Sequence, residues 1–251
     1  MGLSNKRRRK HRRSKRSRRL TKKRRRMQSG GTPHKTVYPP ESIKNYISHV
    51  VYVNLDSRTD RRAQMEQELK IFSPDQVHRV PGIVPDILDL AHKNIALATA
   101  HLNAVKLARD NQWTNTLFLE DDSAWANIDA AYPCFEKLVQ GSYDAIMLGS
   151  HHAEYDKETF RVKRATSGAA YLLHHSHYTI YINRLQAMID SFVSGVTEHY
   201  KVQTNSEPVF GSLQKEYNWF IVIPPLMTQL PGISDRMNEY VNYTHAEAPK
   251  A

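Results

Sequence analysis

The chain has 251 residues, enough for one sizeable domain, and carries 36 Lys and Arg against 25 Asp and Glu. The charge is uneven: residues 1–27 hold 16 of the basic residues and none of the acidic ones, which leaves 20 basic against 25 acidic residues in 28–251, a net charge of −5. A single cysteine, Cys134, excludes an internal disulfide, and the lack of an apolar run near the roughly 18 to 20 residues that span a bilayer favours a soluble intracellular, cytoplasmic protein.

The run of residues 6–26 is almost purely cationic, so it cannot bury apolar surface and repels itself. We expect a disordered polybasic arm whose physically sensible partners are nucleic acid, an import receptor that would target the protein to the nucleus, or an anionic membrane face. The predicted organisation is this arm over 1–27, a linker over 28–42, a folded domain over 43–240 and a C-terminal tail over 241–251.

The first predicted strand, residues 49–55, is rich in β-branched and aromatic side chains. Asp56 and Ser57 follow it as candidate caps of a helix over 58–72. The same turn carries three arginines, Arg58, Arg61 and Arg62. Cations beside free helix N–H groups indicate an anion-binding pocket, although a solvated helix face would have the same composition.

A second helix is predicted over 94–111, because small and apolar residues recur there at a spacing of three or four. These residues are Ile95, Ala98, Leu102, Val105 and Ala108. His101 lies beside this apolar stripe. A lone histidine in such a position is more often a hydrogen-bonded structural residue than a ligand.

The most informative stretch is the apolar run 116–119, which ends in Glu120, Asp121 and Asp122. Carboxylates at the end of a buried strand lie where open α/β sheets bind ligands. Three adjacent carboxylates repel one another unless water or a cation compensates them, and Mg²⁺ or Mn²⁺ prefers oxygen ligands of this kind. The stretch is therefore either a metal site or a solvated acidic turn. On extended backbone, Glu120 and Asp122 would share one face.

Further strands are predicted over 144–150, 167–173 and 219–223, and further helices over 127–139 with an interruption at Pro133, 178–192 and 207–217. His151 and His152 follow one of these strands and point to opposite faces, so neither is assigned a metal. Strands that alternate with helices predict an α/β domain with a mainly parallel central sheet flanked by helices.

Five motifs share an order with a known family. They are Val53-Asn54-Leu55-Asp56 with the three arginines, Ala100-His101-Leu102-Asn103-Ala104, Leu119-Glu120-Asp121-Asp122, Ser167-Gly168-Ala169-Ala170-Tyr171-Leu172, and Pro224-Pro225-Leu226 with Gln229 and Ser234-Asp235. In this order the chain resembles glycosyltransferase family 25, the lipooligosaccharide and procollagen β-galactosyltransferase type. The resemblance implies a GT-A-like single domain, a UDP-sugar donor carrying galactose or glucose, Mn²⁺ or Mg²⁺, and inverting transfer to a hydroxyl of a glycan or protein acceptor. A virus-encoded origin fits it, since the family also occurs in large DNA viruses.

The resemblance also implies residue roles. Asp122 is the expected metal ligand, together with Glu120, and Glu120 or Asp121 contacts ribose or a bound water. The nucleotide side of the site is assigned to Asn54, Asp56, Arg58, Arg61, Arg62 and His101, with at most one of the adjacent pair Arg61 and Arg62 facing it. The family carries an aspartate ahead of its last strand, whereas here Glu207 is the only acid nearby. Glu207 is therefore the candidate general base, and Asp235 the second.

Two other classes remain open from the residues alone. The first is a nucleic-acid-binding protein or a metal-dependent nuclease that would use the basic arm and the same acids. The net charge of −5 in the body and the lack of a basic groove in its sequence speak against it. The second is an inactive transferase fold kept for binding, which the intact acidic motif disfavours.

Overall fold

The computed structural model describes residues 35–150, 152–195 and 207–243. The predicted arm and most of the predicted linker lie outside these residues. Thr36 and Tyr38, from the end of that linker, hydrogen-bond to Glu68 and to the backbone of Gln67. Within the described ranges, no helix is both long and apolar enough to cross a membrane.

The described residues form the following elements. The strands are β1 (His49–Asn54), β2 (Val77–Pro81), β3 (Asn115–Glu120), β4 (Ser123–Trp125), β5 (Ala145–Gly149), β6 (Ala153–Tyr155), β7 (Val162–Ala165), β8 (Ala170–His174), β9 (Trp219–Ile221), β10 (Met227–Gln229), β11 (Gly232–Ser234) and β12 (Glu239–Val241). The α-helices are α1 (Thr59–Glu68), α2 (Leu90–Asp110), α3 (Ile128–Val139), α4 (Tyr178–Val193) and α5 (Glu207–Glu216), and short 3-10 helices span Glu41–Asn45, Pro74–Gln76 and His175–His177.

Six strands make the central sheet, in the order β2-β1-β3-β8-β5-β9. β1 runs parallel to both β2 and β3, and β5 runs parallel to β9, whereas β8 is antiparallel to its neighbours β3 and β5. The prediction of a mainly parallel sheet flanked by helices is confirmed. Val53 of β1 is in register with Glu120 of β3, so the acidic motif lies beside the end of the first strand.

Each face of the sheet is covered by its own apolar core. Along β3, Phe118 belongs to the core with α2 and α4, while Leu117 and Leu119 belong to the core with α1 and α3. This alternation follows from the two-residue period of a strand. Burial of side chains of this size contributes about 1.5–3 kcal/mol each and anchors β3 in the core. The predicted apolar stripe of α2 is buried, as expected.

Two helices, α1 and α2, begin at residues other than those predicted, and the capping contacts explain the start of α2. α1 begins after Arg58, with no side-chain cap from Asp56 or Ser57. α2 begins at Leu90 because the Asp89 carboxylate accepts a hydrogen bond from the backbone N–H of His92. The predicted interruption at Pro133 is wrong: α3 continues through this residue, which lies on the exposed side where solvent can satisfy the carbonyl left unpaired.

Short strands after the acidic motif were not predicted. β4 follows the acids directly and pairs with β10, which places Gln229 opposite Ser123. The end of β5 permits this, because a Cβ on Gly149 would lie 2.8 Å from the carbonyl oxygen of Met227. β6 pairs with β7, and β11 with β12, as separate hairpins. The chain from the Pro224-Pro225-Leu226 motif to residue 243 is therefore folded back over the strand ends, and the rest of the predicted tail lies outside the described residues.

Candidate active site

A cavity of about 520 Å³ opens at the carboxyl ends of β1 and β3. Its floor carries Glu120, Asp121 and Asp122, which come directly after the buried residues of β3. Cavities of this size, with a few convergent polar groups, are typical of small-ligand sites. The position agrees with the rule that open α/β sheets bind ligands beyond the carboxyl ends of their strands.

Asp121 is held from two sides. Nδ2 of Asn54 donates to Oδ2 of Asp121 at 2.7 Å, and Nη1 of Arg61 donates to Oδ1 at 2.7 Å. Asn54 is 1% exposed, donates also to the carbonyl oxygen of Arg58, and accepts from Nε of Arg79. The asparagine predicted on the nucleotide side therefore lies beneath the floor and fixes Asp121.

Glu120 and Asp122 converge on one amide group. Nε2 of Gln229 donates to Oε2 of Glu120 at 3.2 Å and to Oδ1 of Asp122 at 3.0 Å. Oδ2 of Asp122 lies 3.1 Å from Nη1 of Arg61. The backbone N–H of Leu230 donates to the carbonyl oxygen of Asp122. The chain turns at Asp121 and Asp122, beyond the end of β3 at Glu120, so strand alternation does not apply to these acids. The contact with Gln229 brings Glu120 and Asp122 together.

The electrostatics of the floor follow from burial and from one arginine. Burial, then the Asp122 charge, raises the pKa of Glu120 to about 8. Burial also raises the pKa of Asp121, against the opposing effects of Arg61 and Asn54. Burial disfavours the charged form of Arg61, but Asp122 and Asp121 outweigh it and raise its pKa. Arg61 therefore stays cationic and compensates the motif.

Two further basic side chains line the same cavity, Lys93 from the first turn of α2 and Arg236 from the chain after β11. The charge of Arg236 opposes the rise in the pKa of Glu120. Nζ of Lys93 donates to the carbonyl oxygen of Asp235 at 3.0 Å. No basic groove is visible in the sequence, because these cations come from distant parts of the chain.

Residues 230–243, here called the C-terminal cover, form the roof of the cavity. Arg58 and Arg61 both donate to the carbonyl oxygen of Ile233, at 3.2 and 3.0 Å, and Arg58 also pairs with the Asp235 carboxylate. Ser234, Asp235, Arg236, Asn238, Val241 and Tyr243 of the cover line the cavity. No residue of the cover is buried, so polar contacts hold it in place.

One wall of the cavity is apolar. It includes Val53 and Leu55 at the end of β1 and Ile83, Val84 and Leu88 from the segment after β2. Val84 is 68% exposed and Leu88 64%. The cavity thus combines a charged floor with an apolar side, which suits a ligand that has both an anionic group and a flat or apolar group.

Several predicted site residues lie elsewhere. Asp56 is exposed and pairs with Arg79 rather than lining the cavity. Arg62 points outward to Glu66, at 3.1 Å, whereas Arg61 lines the cavity, which agrees with the expectation that at most one of this adjacent pair faces the site.

His101 lies inside the core rather than at the cavity. It is 1% exposed, its Nδ1 is 2.9 Å from Oη of Tyr171, and Tyr171 in turn contacts Oη of Tyr181. Burial lowers the pKa of His101 to about 4. Any influence of His101 on a ligand would pass through the packing of α2 against β8.

The two candidate bases are placed differently. Asp235 lines the cavity and is paired with Arg58. Glu207 is the first residue of α5, and its side chain lies outside the described residues. The assignment of a general base to Glu207 stays a prediction.

Sequence reasoning assigned no role to Lys93, Arg236, Tyr243 and His152, which line the cavity. Gln229 belongs to the fifth sequence motif, without an assigned role. A signal existed for Arg236, which directly follows the Ser234-Asp235 pair. No local signal marks Lys93, because its neighbours read as an ordinary helix start.

A divalent ion at this site would have the acids of the floor as its protein ligands. Among the described residues, no group of three or more His, Cys, Asp or Glu side chains is placed to hold a metal ion. Glu120 and Asp122, joined through the amide of Gln229, offer two carboxylates on one side of the cavity. This set fits an ion of the Mg²⁺ or Mn²⁺ type, which binds one or two carboxylates and completes its shell with substrate phosphates and water.

No protein-family model matches the chain, and no curated protein matches it in sequence. In structure it is similar to a glycosyltransferase involved in the glycosylation of the major capsid of PBCV-1, with a TM-score of 0.48 and 8% identity over 76% of this chain and 95% of that one. It is also similar to the glycosyltransferase GlyE of Streptococcus pneumoniae TIGR4, with a TM-score of 0.41 and 11% identity over 72% of this chain and 53% of that one. A third structure is a putative glucose-1-phosphate thymidylyltransferase from Bacillus anthracis, with a TM-score of 0.39 and 7% identity over 72% and 70% of the two chains.

Proposed function

We propose that the chain is a glycosyltransferase, of the family 25 type with a GT-A-like fold, that moves galactose or glucose from a UDP-sugar to an acceptor hydroxyl with metal assistance and inversion. The observation that carries this proposal is the convergence of four acidic side chains, Asp235 and the three of the floor, with three basic side chains in one cavity that also has an apolar wall. A nucleoside diphosphate sugar presents the matching groups: an anionic diphosphate, a flat base and a hydroxyl-rich sugar.

The charged residues divide the work of holding the diphosphate. Asp122 with Glu120 would hold a divalent ion, which acts as a Lewis acid on the leaving phosphate when it is bound. Arg61, Lys93 and Arg236 supply positive charge that is fixed before the reaction begins, and such preorganised charge stabilises a leaving group best. Asp121, fixed by Asn54, is available to contact ribose or a bound water.

The transfer itself requires one bond to form and one to break. The acceptor oxygen bonds to the anomeric carbon from the face opposite the diphosphate, while the bond from that carbon to the phosphate oxygen breaks and its electron pair leaves with UDP. The acceptor proton passes to a carboxylate, for which Asp235 in the cavity and Glu207 are the candidates. General-base help of this kind is worth about 10²- to 10⁴-fold in rate.

A nuclease is the second candidate function, because basic side chains do lie beside the acids. The apolar wall at Val53, Leu55 and Ile83 favours the nucleotide-sugar proposal over it, since a nucleic-acid backbone calls for a polar, basic surface there.

The test is hydrolysis of a panel of UDP-sugars by the full chain, with Mn²⁺, with Mg²⁺ and with a chelator. We expect turnover of UDP-galactose or UDP-glucose that requires the ion. Asp122→Asn should lower turnover at least about 100-fold, because a Lewis acid contributes several kcal/mol and each 1.36 kcal/mol is tenfold. Asp129→Asn, at an exposed acid in the first turn of α3, is the matched control and should retain turnover.

The outcome against the proposal is equally specific. Full turnover by Asp122→Asn would remove the assigned metal ligand. No turnover and no thermal shift with any UDP-sugar, together with ion-dependent cleavage of single-stranded or duplex DNA or RNA, would replace the transferase with the nuclease.

A further inference from the structure

We infer that Arg61 is an internal counterion that competes with a divalent cation for the acidic motif, and that it binds the donor diphosphate once the ion has taken its place. The inference rests on the proposed function and deepens it. It makes Arg61 a positioning residue with two alternative anionic partners, the acids of the floor and the phosphates of the donor.

The geometry places one guanidinium between two carboxylates. Nη1 of Arg61 lies 2.7 Å from Oδ1 of Asp121 and 3.1 Å from Oδ2 of Asp122. Its Nη2 donates to the carbonyl oxygen of Ile233 in the C-terminal cover at 3.0 Å. The same positive group therefore touches both the floor and the roof of the cavity.

The remaining oxygens of these two carboxylates also have partners. Oδ2 of Asp121 accepts from Asn54, and Oδ1 of Asp122 accepts from Gln229. Asn54 and Gln229 are neutral, so a cation that arrives at Asp122 meets electrostatic competition from Arg61 alone among these three residues. A divalent ion brings twice the positive charge to the same oxygen, and like charges at such short range exclude each other.

Arg61 is also suited to receive the diphosphate. Its side chain is only 12% exposed and lines the cavity, and it projects from the first turn of α1, where free N–H groups favour anions. A guanidinium offers a planar pair of donors that matches phosphate oxygens, so a diphosphate can take over the role that the Asp122 carboxylate has as its partner.

The competing explanation is that Arg61 only supports the fold by joining Asp121 to the cover. The two explanations predict opposite changes in ion affinity when Arg61 is removed. If Arg61 is merely structural, its removal loosens the site and weakens the binding of both ion and nucleotide. If it competes with the ion, its removal strengthens binding of the ion in the absence of nucleotide and weakens binding of the diphosphate once the ion is bound.

The experiment measures Mn²⁺ binding in the absence of nucleotide by electron paramagnetic resonance, and UDP binding at saturating Mn²⁺ by titration calorimetry, with the full chain. For Arg61→Gln we expect Mn²⁺ affinity to rise and UDP affinity to fall, each on the order of tenfold, because one unit of positive charge leaves a half-enclosed site. Arg62→Gln is the matched control. This neighbouring arginine is half-exposed and pairs with Glu66, and its removal should move neither affinity by more than about twofold.

Arg61→Lys keeps the charge and guards against a folding defect in the glutamine variant. It should retain most of the UDP affinity while Mn²⁺ affinity rises less than in Arg61→Gln, since lysine provides a point charge without the fork. Unchanged or lower Mn²⁺ affinity in folded Arg61→Gln overturns the inference, even if UDP-sugar turnover proceeds as proposed. Conversely, absence of UDP binding by the unmodified chain, with Mn²⁺ affinity raised in Arg61→Gln, keeps the competition and removes the nucleotide.

Discussion

The floor and the roof of the cavity are built in opposite ways. The floor carries its carboxylates at the end of β3, whose residues Leu117, Phe118 and Leu119 are fully buried, and it is braced from below by Asn54. The C-terminal cover has no buried residue and is held through hydrogen bonds to Arg58, Arg61 and Lys93. The carboxylates are therefore carried by the core, whereas the described contacts of the cover with the floor and with α2 are hydrogen bonds and ion pairs.

This difference has a consequence for local stability. Segments with few buried apolar contacts open at free energies well below that of global unfolding, while core strands open only with the whole domain. We expect backbone amides of β3 to exchange with solvent far more slowly than those of β11 and β12. A cover of this kind suits a cavity whose ligand enters from the side of the roof.

The largest expected effect comes from weakening the floor with Asn54→Leu. The substitution leaves the Asp121 carboxylate, Nε of Arg79 and the carbonyl oxygen of Arg58 without their shared partner in a nearly inaccessible position. Each group left unpaired in this way costs about 1–3 kcal/mol, and relaxation recovers part of it, so the free energy of unfolding should fall by about 2–4 kcal/mol. Urea unfolding of the ligand-free chain measures it.

The control for this substitution is Asn111→Leu, at the exposed asparagine that follows α2 and donates to the carbonyl oxygen of Leu107. It should cost less than about 1 kcal/mol, because water can donate to this carbonyl in place of the asparagine. Equal losses of stability for the two variants would mean that Asn54 contributes no special support to the floor.

Asn54 also shows what sequence could and could not supply. The apolar run before the acids is a local pattern, and it forms β3 as predicted. The shared face of Glu120 and Asp122 was expected on extended backbone, whereas the chain turns at Asp121 and Asp122 and the two acids meet at Gln229. The sheet was predictable for the same reason, since each of its longer strands and helices carries its own period. The placement of Asn54 beneath the floor depends on the register of β1 against β3, which no local pattern states.

The basic residues and short strands of the site could not be predicted either, because they too depend on contacts between distant parts of the chain. Lys93 and Arg236 meet the acids only after the chain has folded back, and an isolated lysine or arginine gives no signal of its partner. β4, β10, β11 and β12 have three residues each, too few to show a two-residue period. Residues 224–243 were therefore assigned no strand, although residues 230–243 form the roof.

An intermediate effect is expected for the buried histidine beside the central sheet. The pKa of His101 is lowered to about 4 in the folded protein, from 6.5 in the unfolded chain. Below pH 6.5 the unfolded state takes up a proton that the folded state refuses, so stability falls as the pH falls from 6.5 towards 4. From pH 7 to pH 5 this single group should cost roughly 1–2 kcal/mol.

Urea unfolding of His101→Gln and of the unmodified chain at pH 7 and pH 5 measures the contribution of His101 to the loss of stability at the lower pH. His101→Gln is destabilised at both pH values, but its free energy of unfolding should fall less between pH 7 and pH 5 than that of the unmodified chain. His175→Gln, at an exposed histidine, should show the same fall as the unmodified chain. If His101→Gln loses as much free energy of unfolding between pH 7 and pH 5 as the unmodified chain does, other groups determine the stability of the domain at low pH.

The smallest expected effect comes from loosening the roof with Asp235→Asn, which weakens the pair with Arg58. The Asp235 side chain is 44% exposed, and Arg58 keeps Asp60 and the carbonyl oxygen of Ile233 as partners, so the global free energy of unfolding should change by less than about 1 kcal/mol. Amide exchange in β11 and β12 should nevertheless rise about two- to fivefold, while exchange in β3 stays unchanged, because only the opening of the cover is affected. A loss of more than about 2 kcal/mol, with faster exchange in β3 as well, would mean that roof and floor unfold as one cooperative unit. In that case ligand entry would require a wider opening of the domain than the polar contacts of the cover imply.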